Sequence, residues 1–142
     1  MKTRFWLLSS LVVLASISAV PSLPADRGTT SPLKLVVYYF HATQRCATCM
    51  AIESYSKEVL ETRFGAQLTL GTIQWQVVDV EQPKNRHFIQ EYRLVSPSVV
   101  LVRIENGKRG RWQTLDKAWT LVRKKSEFFQ YMQSSISRLL EG

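Results

Sequence analysis

Apolar and polar positions follow two alternating rhythms along this chain, and the switches between them lay out its elements. Leu35-Val36-Val37-Tyr38-Tyr39-Phe40 is an unbroken β-branched and aromatic run, so Lys34 to Phe40 predicts a strand buried on both faces. From about Ala47 to Phe64 the spacing becomes helical. Cys49, Ile52, Ser56, Val59, Leu60 and Phe64 fall near one face, and Glu53, Lys57, Glu58 and Glu61 fall largely elsewhere. Gly65 is the expected stop. Ile73 to Val80 predicts a second strand, with Ile73, Trp75 and Val77 on one face and Val78 and Val80 on the other. Pro83 to Tyr92 predicts a short helix striped by Phe88, Ile89 and Tyr92. Ser98 to Ile104 predicts a third strand, Asn106-Gly107 a hairpin turn, and Arg111 to Leu115 the strand that pairs back. A short helix fits Leu115 to Val122. Phe128, Phe129, Met132, Ile136, Leu139 and Leu140 then mark a closing helix over Ser126 to Leu140.

The predicted order is β-α-β-α-β-β-α. Its first half is a parallel βαβ unit with a right-handed crossover, and its second half is an antiparallel hairpin followed by a helix. A chain of 142 residues suits one domain, and 45% apolar with 21% charged residues argues for a packed core.

The first 25 residues read differently. Lys2 and Arg4 precede an uncharged stretch from Phe5 to Val20, and Pro21, Pro24 and Gly28 follow. That order is a secretory signal pattern. The stretch is short beside the roughly 20 residues a spanning helix needs. Ser16/Ser18 and Leu23/Ala25 are both imperfect cleavage pairs, so an uncleaved anchor through residues 5–20 also fits. The organisation is then a signal peptide or N-terminal membrane anchor over 1–25, a polar linker over 26–32 and a domain over 33–142. Either leader implies an exported protein, periplasmic or otherwise extracytoplasmic. Of the formal charge of +8, Lys2 and Arg4 supply two, leaving +6 from Asp26 onward. Export argues against nucleic acid as the partner of that charge. Arg103, Lys108, Arg109 and Arg111 gather around the hairpin near Trp112 and Trp119. They suit either a solvated basic edge that discourages strand pairing or an attraction for an acidic partner or an anionic membrane face.

The two cysteines, Cys46 and Cys49, are the only ones in the chain. Cys46-Ala47-Thr48-Cys49 lies between the first strand and the first helix. Three residues apart on a first turn, the sulfurs share a face and can close a disulfide. Outside the cytoplasm such a pair can exchange disulfides, stand as a static staple or hold a metal. A staple over so small a loop constrains the unfolded chain little. A metal carrier would need Cys46 and Cys49 with His41, or with the more distant His87.

Strand, Cys-x-x-Cys, helix, then Val95-Ser96-Pro97-Ser98-Val99-Val100-Leu101 with a proline just before the third strand, resembles the thioredoxin-like superfamily. The resemblance spans about Leu33 to Leu140. It implies a three-layer α/β/α sandwich with a mixed sheet, and a cis-proline at Pro97 facing the cysteines. More narrowly, Tyr38-Tyr39-Phe40-His41-Ala42-Thr43-Gln44-Arg45-Cys46-Ala47-Thr48-Cys49 is similar to a group of exported thioredoxin-like proteins labelled nitrophenyl-compound nitroreductase subunits. Thioredoxin itself has Trp before the first cysteine, Gly-Pro between the pair and a buried acid in the preceding strand. Here Arg45, Ala47-Thr48 and Tyr39-Phe40 stand in those places.

The expected activity is thiol–disulfide exchange through Cys46 and Cys49, with no cofactor and no bound metal. Cys46 is the expected nucleophile. The helix N-terminus favours a thiolate by about 0.3–1 kcal/mol, and the charge of the neighbouring Arg45 by a similar amount. Cys49 is the expected resolving cysteine. Arg45, His41 and Thr48 are candidates for tuning the thiolate, Thr48 also for capping the helix. Ser96 and Pro97 are expected to shape a substrate groove, the proline ring excluding metal and the Ser96 backbone pairing with an extended substrate. An ordinary trans proline at a strand start is the plainer alternative. The implied partners are a protein or small-molecule disulfide or thiol and an electron donor or acceptor protein. The rival reading is a non-catalytic binding subunit of a redox complex on the same fold.

Overall fold

A computed structural model describes residues 33–142. The expected leader over 1–25 and linker over 26–32 lie outside the described residues. The elements run β1 (Leu35–His41), α1 (Ala47–Arg63), α2 (Gly65–Thr69), β2 (Ile73–Asp79), a 3₁₀ turn (Pro83–Asn85), α3 (His87–Glu91), β3 (Ser98–Glu105), β4 (Lys108–Thr114), α4 (Ala118–Leu121) and α5 (Lys125–Glu141).

The sheet order is β2-β1-β3-β4. β1 pairs parallel with β2, from Leu35 opposite Ile73 to His41 opposite Asp79. It pairs antiparallel with β3, which pairs antiparallel with β4. β1 is therefore central, and Leu35 to Phe40 are all buried. Side chains alternate across a strand, so the run splits between two cores. Leu35, Val37 and Tyr39 join Ile52, Val59 and Leu60 of α1 and Phe128, Met132 and Ile136 of α5. Val36, Tyr38 and Phe40 join Phe88 and Tyr92 on the other face. This is the expected three-layer α/β/α sandwich with a parallel βαβ half and a hairpin half. Its layers are unequal, because only five residues of α3 serve the second face.

Four local expectations need correction. Gly65 does not stop the helix run. Phe64 breaks it by turning its side chain into the core, and the chain winds again through α2. The glycine with positive φ in this stretch is Gly71, just past α2, at 70°. Pro83 to Tyr92 is not one helix, since Asn85 Nδ2 donates to the Asp79 carbonyl at 2.8 Å and ties the 3₁₀ turn to the end of β2. Phe88 and Tyr92, four apart, face the core while Ile89 is 39% exposed. The helix expected over Leu115 to Val122 is only the four residues of α4, with Leu115 and Val122 buried on either side. β4 starts at Lys108, earlier than expected, because an edge strand takes charged residues on its open side. The hairpin turns as predicted, with positive φ at both Asn106 (53°) and Gly107 (74°).

Candidate active site

The end of β1 and the start of α1 meet at the cysteines. Cys46 is the N-cap of α1, in extended conformation, and its sulfur accepts the Cys49 N–H at 3.0 Å. The capping role considered for Thr48 thus belongs to Cys46, and Thr48 is exposed. Cys46 and Cys49 are joined as a disulfide, with Cα atoms 5.0 Å apart. They differ in access: Cys46 is exposed, while Cys49 is only 5% exposed on the inward face that carries Ile52 and Ser56. The periodicity of α1 causes that difference, since Cys49 is the first residue of its buried stripe. An approaching group can therefore reach one sulfur and not the other.

Tyr39 lies beneath the pair. Its hydroxyl donates to the Cys49 carbonyl at 2.7 Å. Burial pushes its phenol above the ordinary range, and the Arg45 guanidinium pulls the other way. Arg45 does not extend into solvent. It is ion-paired with Glu53 of α1 and stands over the Tyr39 ring, 5.8 Å from the centroid. Neither Tyr39 nor Glu53 stood out in the sequence. Tyr39 read as one more strand aromatic, and Glu53 as part of a solvated face. The available signal was spacing: Glu53 follows Cys49 by four residues, the interval at which helical side chains are neighbours.

His41 is half-buried. Its ring lies 6.0 Å from the Tyr39 ring, and its Nδ1 donates to the Ala42 carbonyl at 2.8 Å. Opposite it, the Asp79 carboxylate accepts from the Thr43 hydroxyl at 2.7 Å, from the Glu81 N–H at 2.9 Å and from Gln82 Nε2 at 3.3 Å. The Thr43 N–H donates to the Glu81 carboxylate at 2.9 Å. The Thr43 hydroxyl, then the Glu81 N–H and Gln82 amide, with a smaller charge effect of His41, hold the Asp79 carboxyl below its ordinary value against a smaller opposing effect of burial. The loop before Cys46 is thereby fastened to the end of β2.

Ser96 and Pro97 border two clefts. The larger, about 600 Å³, includes Ile52, Trp112, Trp119 and Tyr131 in its walls. The smaller, about 260 Å³, is lined on its other side by Phe40, His41, Val80 and Ile89. Neither cysteine lines either cleft. The expected cis-proline is corrected: there is no cis peptide bond among the described residues. Trans is the form an X–Pro bond favours by about 0.5–1 kcal/mol. The Pro97 carbonyl accepts the Trp119 indole N–H at 2.8 Å, and the Ser96 carbonyl accepts the Ser98 hydroxyl at 2.8 Å.

The metal alternative finds no ligand set. Among the described residues no three His, Cys, Asp or Glu side chains gather as a metal site would need. His87 sits on α3 against Phe88, with Nδ1 bonded to the Lys84 carbonyl. Much of the hairpin's basic charge is engaged. Arg103 donates to the Leu139 carbonyl, Arg109 pairs with Glu91, and Arg111 donates to the Gly142 carbonyl. No helix of the described residues is long and apolar enough to cross a membrane.

No protein-family model and no curated protein matches the chain. Among solved structures it is similar to a thioredoxin mutant from Entamoeba histolytica, at 22% identity and a TM-score of 0.41 over 69% of this chain and 84% of that one. A thioredoxin from Thermus thermophilus gives 18% identity and a TM-score of 0.43 over 72% and 74%. Thioredoxin O2 from Arabidopsis thaliana, in its oxidised state, gives 16% and 0.41 over 68% and 76%. These scores are low, and the fold rests on other observations. Strand order, the parallel and antiparallel pairings, and the cysteine pair at the head of α1 together make this a thioredoxin-like fold.

Proposed function

We propose that the protein is an exported thiol–disulfide oxidoreductase working through Cys46 and Cys49. One observation carries the reading: an exposed sulfur at a helix N-terminus is disulfide-bonded to a buried sulfur one turn on. Such a position favours the thiolate, through unpaired N–H groups and the helix dipole. Export rests on the charge–apolar–proline order of the first 25 residues.

In the reduced protein the Cys46 thiolate attacks one sulfur of a substrate disulfide. A Cys46–substrate disulfide forms and the other substrate sulfur leaves as a thiolate. Cys49 then gives up its proton and attacks the Cys46 sulfur. The second substrate sulfur leaves, and two electrons have passed from the protein dithiol to the substrate, which takes up two protons. An external dithiol protein restores the pair. The same steps reversed let the disulfide oxidise a substrate dithiol. Ile52, on the Cys49 face of α1, reaches the larger cleft beside Ser96 and Pro97, and His41, at the end of β1, reaches the smaller, mainly apolar one, which favours these clefts for the residues flanking a substrate cysteine.

The test is the reduction potential of the Cys46–Cys49 couple, titrated against glutathione and dithiothreitol. A reversible couple between about −120 and −270 mV supports exchange, and a value below about −300 mV makes the pair a staple and sinks the proposal. Cys46→Ser should abolish exchange. Cys49→Ser should accumulate the mixed disulfide, visible by mass.

A further inference from the structure

Arg45 immediately precedes Cys46, yet its Nε and Nη2 atoms are buried and its side chain is only 28% exposed. The guanidinium pairs with Glu53, itself 27% exposed, and covers the Tyr39 ring. Tyr39 in turn holds the Cys49 carbonyl. Glu53 follows Cys46 by seven residues and Cys49 by four, so on a 3.6-residue helix it lies below both on the same flank. A cation and an anion therefore meet, half-buried, over the ring whose hydroxyl holds the Cys49 carbonyl, the cation one residue before Cys46 and the anion one helical turn after Cys49. Arginine keeps its charge at all working pH values. What it offers a neighbouring thiolate depends on how far another anion already neutralises it.

We propose that Glu53 is a positioning residue for the exchange reaction: its carboxylate draws the Arg45 guanidinium under α1 and offsets its charge, and so sets how strongly Cys46 is activated. This inference rests on the redox reading above. In the disulfide neither sulfur is charged, and the Arg45–Glu53 pair is self-contained. Reduction brings a second anion, the Cys46 thiolate, into competition for the same guanidinium. The other titratable groups around the site are Tyr39 and His41 of β1. Asp79 faces His41 from β2, Glu81 holds the Thr43 N–H in the loop before Arg45, and Asp116, Lys117 and Tyr131 stand in the larger cleft beyond Ile52. Tyr39 stays neutral in its buried position, which leaves Glu53 as the anion paired with Arg45.

The experiment uses the full chain, reduced, with iodoacetamide as probe. The pH midpoint of Cys46 alkylation and the redox equilibrium with glutathione are measured for wild type, Glu53→Gln, Arg45→Gln and the double variant. Glu53→Gln should lower the midpoint by roughly one unit, the low end of what a freed opposite charge does. At a pH above both midpoints it should also move the equilibrium about tenfold toward the dithiol, or about 30 mV. Arg45→Gln should raise the midpoint, and Glu53→Gln should then add nothing to it. Glu53→Asp, which keeps the charge but withdraws it by one methylene, should fall between wild type and Glu53→Gln, and it carries the test if the glutamine variant does not fold. Midpoints equal to wild type in the Glu53 variants overturn the inference alone. So does an undiminished effect of Glu53→Gln without Arg45. A wild-type protein with no reversible couple overturns the redox reading and this inference with it.

Discussion

At the scale of single residues, the cysteine pair shows how one helical stripe makes two chemically different sulfurs. Cys49 belongs to the buried face of α1 and Cys46 caps its end. Tyr39 supports this arrangement from below. Tyr39→Phe keeps the ring and loses the donor to the Cys49 carbonyl, which should cost about 1 kcal/mol in denaturant unfolding. Asp79 acts on the loop side. Its folded pKa is depressed, so its contribution is present above the unfolded value and is lost as pH falls through the folded one. As pH falls below about 4 and through that depressed value, the loop at Thr43 should therefore loosen, and Asp79→Asn should loosen it at neutral pH. Limited proteolysis between His41 and Arg45 is the readout, and equal cleavage in both proteins would refute the tie. The cysteines were legible from the sequence because their spacing alone states what they can do. The Arg45–Glu53 pair was not. Whether residues on a loop and a helix meet depends on the path of the loop, which no periodicity reports.

At the scale of elements, legibility followed burial. The inward stripe of α1, from Cys49 through Phe64, was read residue by residue because every member is buried. The closing helix was read nearly to its ends for the same reason, with Phe128, Met132 and Ile136 in the core. Phe128→Ala should cost about 3–5 kcal/mol by leaving a cavity between α5, α1 and the sheet. Elements held by side-chain-to-backbone ties were read less well. The Asn85 bond that separates the 3₁₀ turn from α3 leaves no trace in hydrophobic spacing. Pro97 taught a related lesson: a proline in the right place for a cis bond is trans here, with its carbonyl engaged by Trp119. The Asn106-Gly107 turn was legible because only a few residue types accept positive φ. Gly107→Ala should cost about 1–2 kcal/mol by placing a Cβ in that region, measurable as a lower unfolding midpoint.

At the scale of the molecule, the sheet divides two unequal cores, and buried phenols sit in both. Tyr39 faces the α1–α5 side and Tyr92 the α3 side, with Tyr131 partly buried on α5. Burial is the leading cause that raises all three above the ordinary value. Each stays neutral in the fold where the unfolded chain would already ionise. Their contribution is thus complete below about pH 10 and shrinks as pH rises toward the folded values. Thermal unfolding should show a falling midpoint above pH 10, and a flat profile there would contradict the burial of these groups. The architecture itself was legible from the order of elements, since short connections leave few ways to join a βαβ unit to a hairpin.

Cys46 is at once the exposed member of the pair and, through its sulfur, the acceptor that closes the first turn of α1. Exchange and capping share the same electrons. A thiolate is a stronger acceptor than a disulfide sulfur, so passing from oxidised to reduced should tighten the Cys49 amide, and oxidation should loosen it. Deuterium uptake at that single amide then becomes an internal gauge of redox state. It would read the condition of the pair from the backbone, with no dye and no substrate.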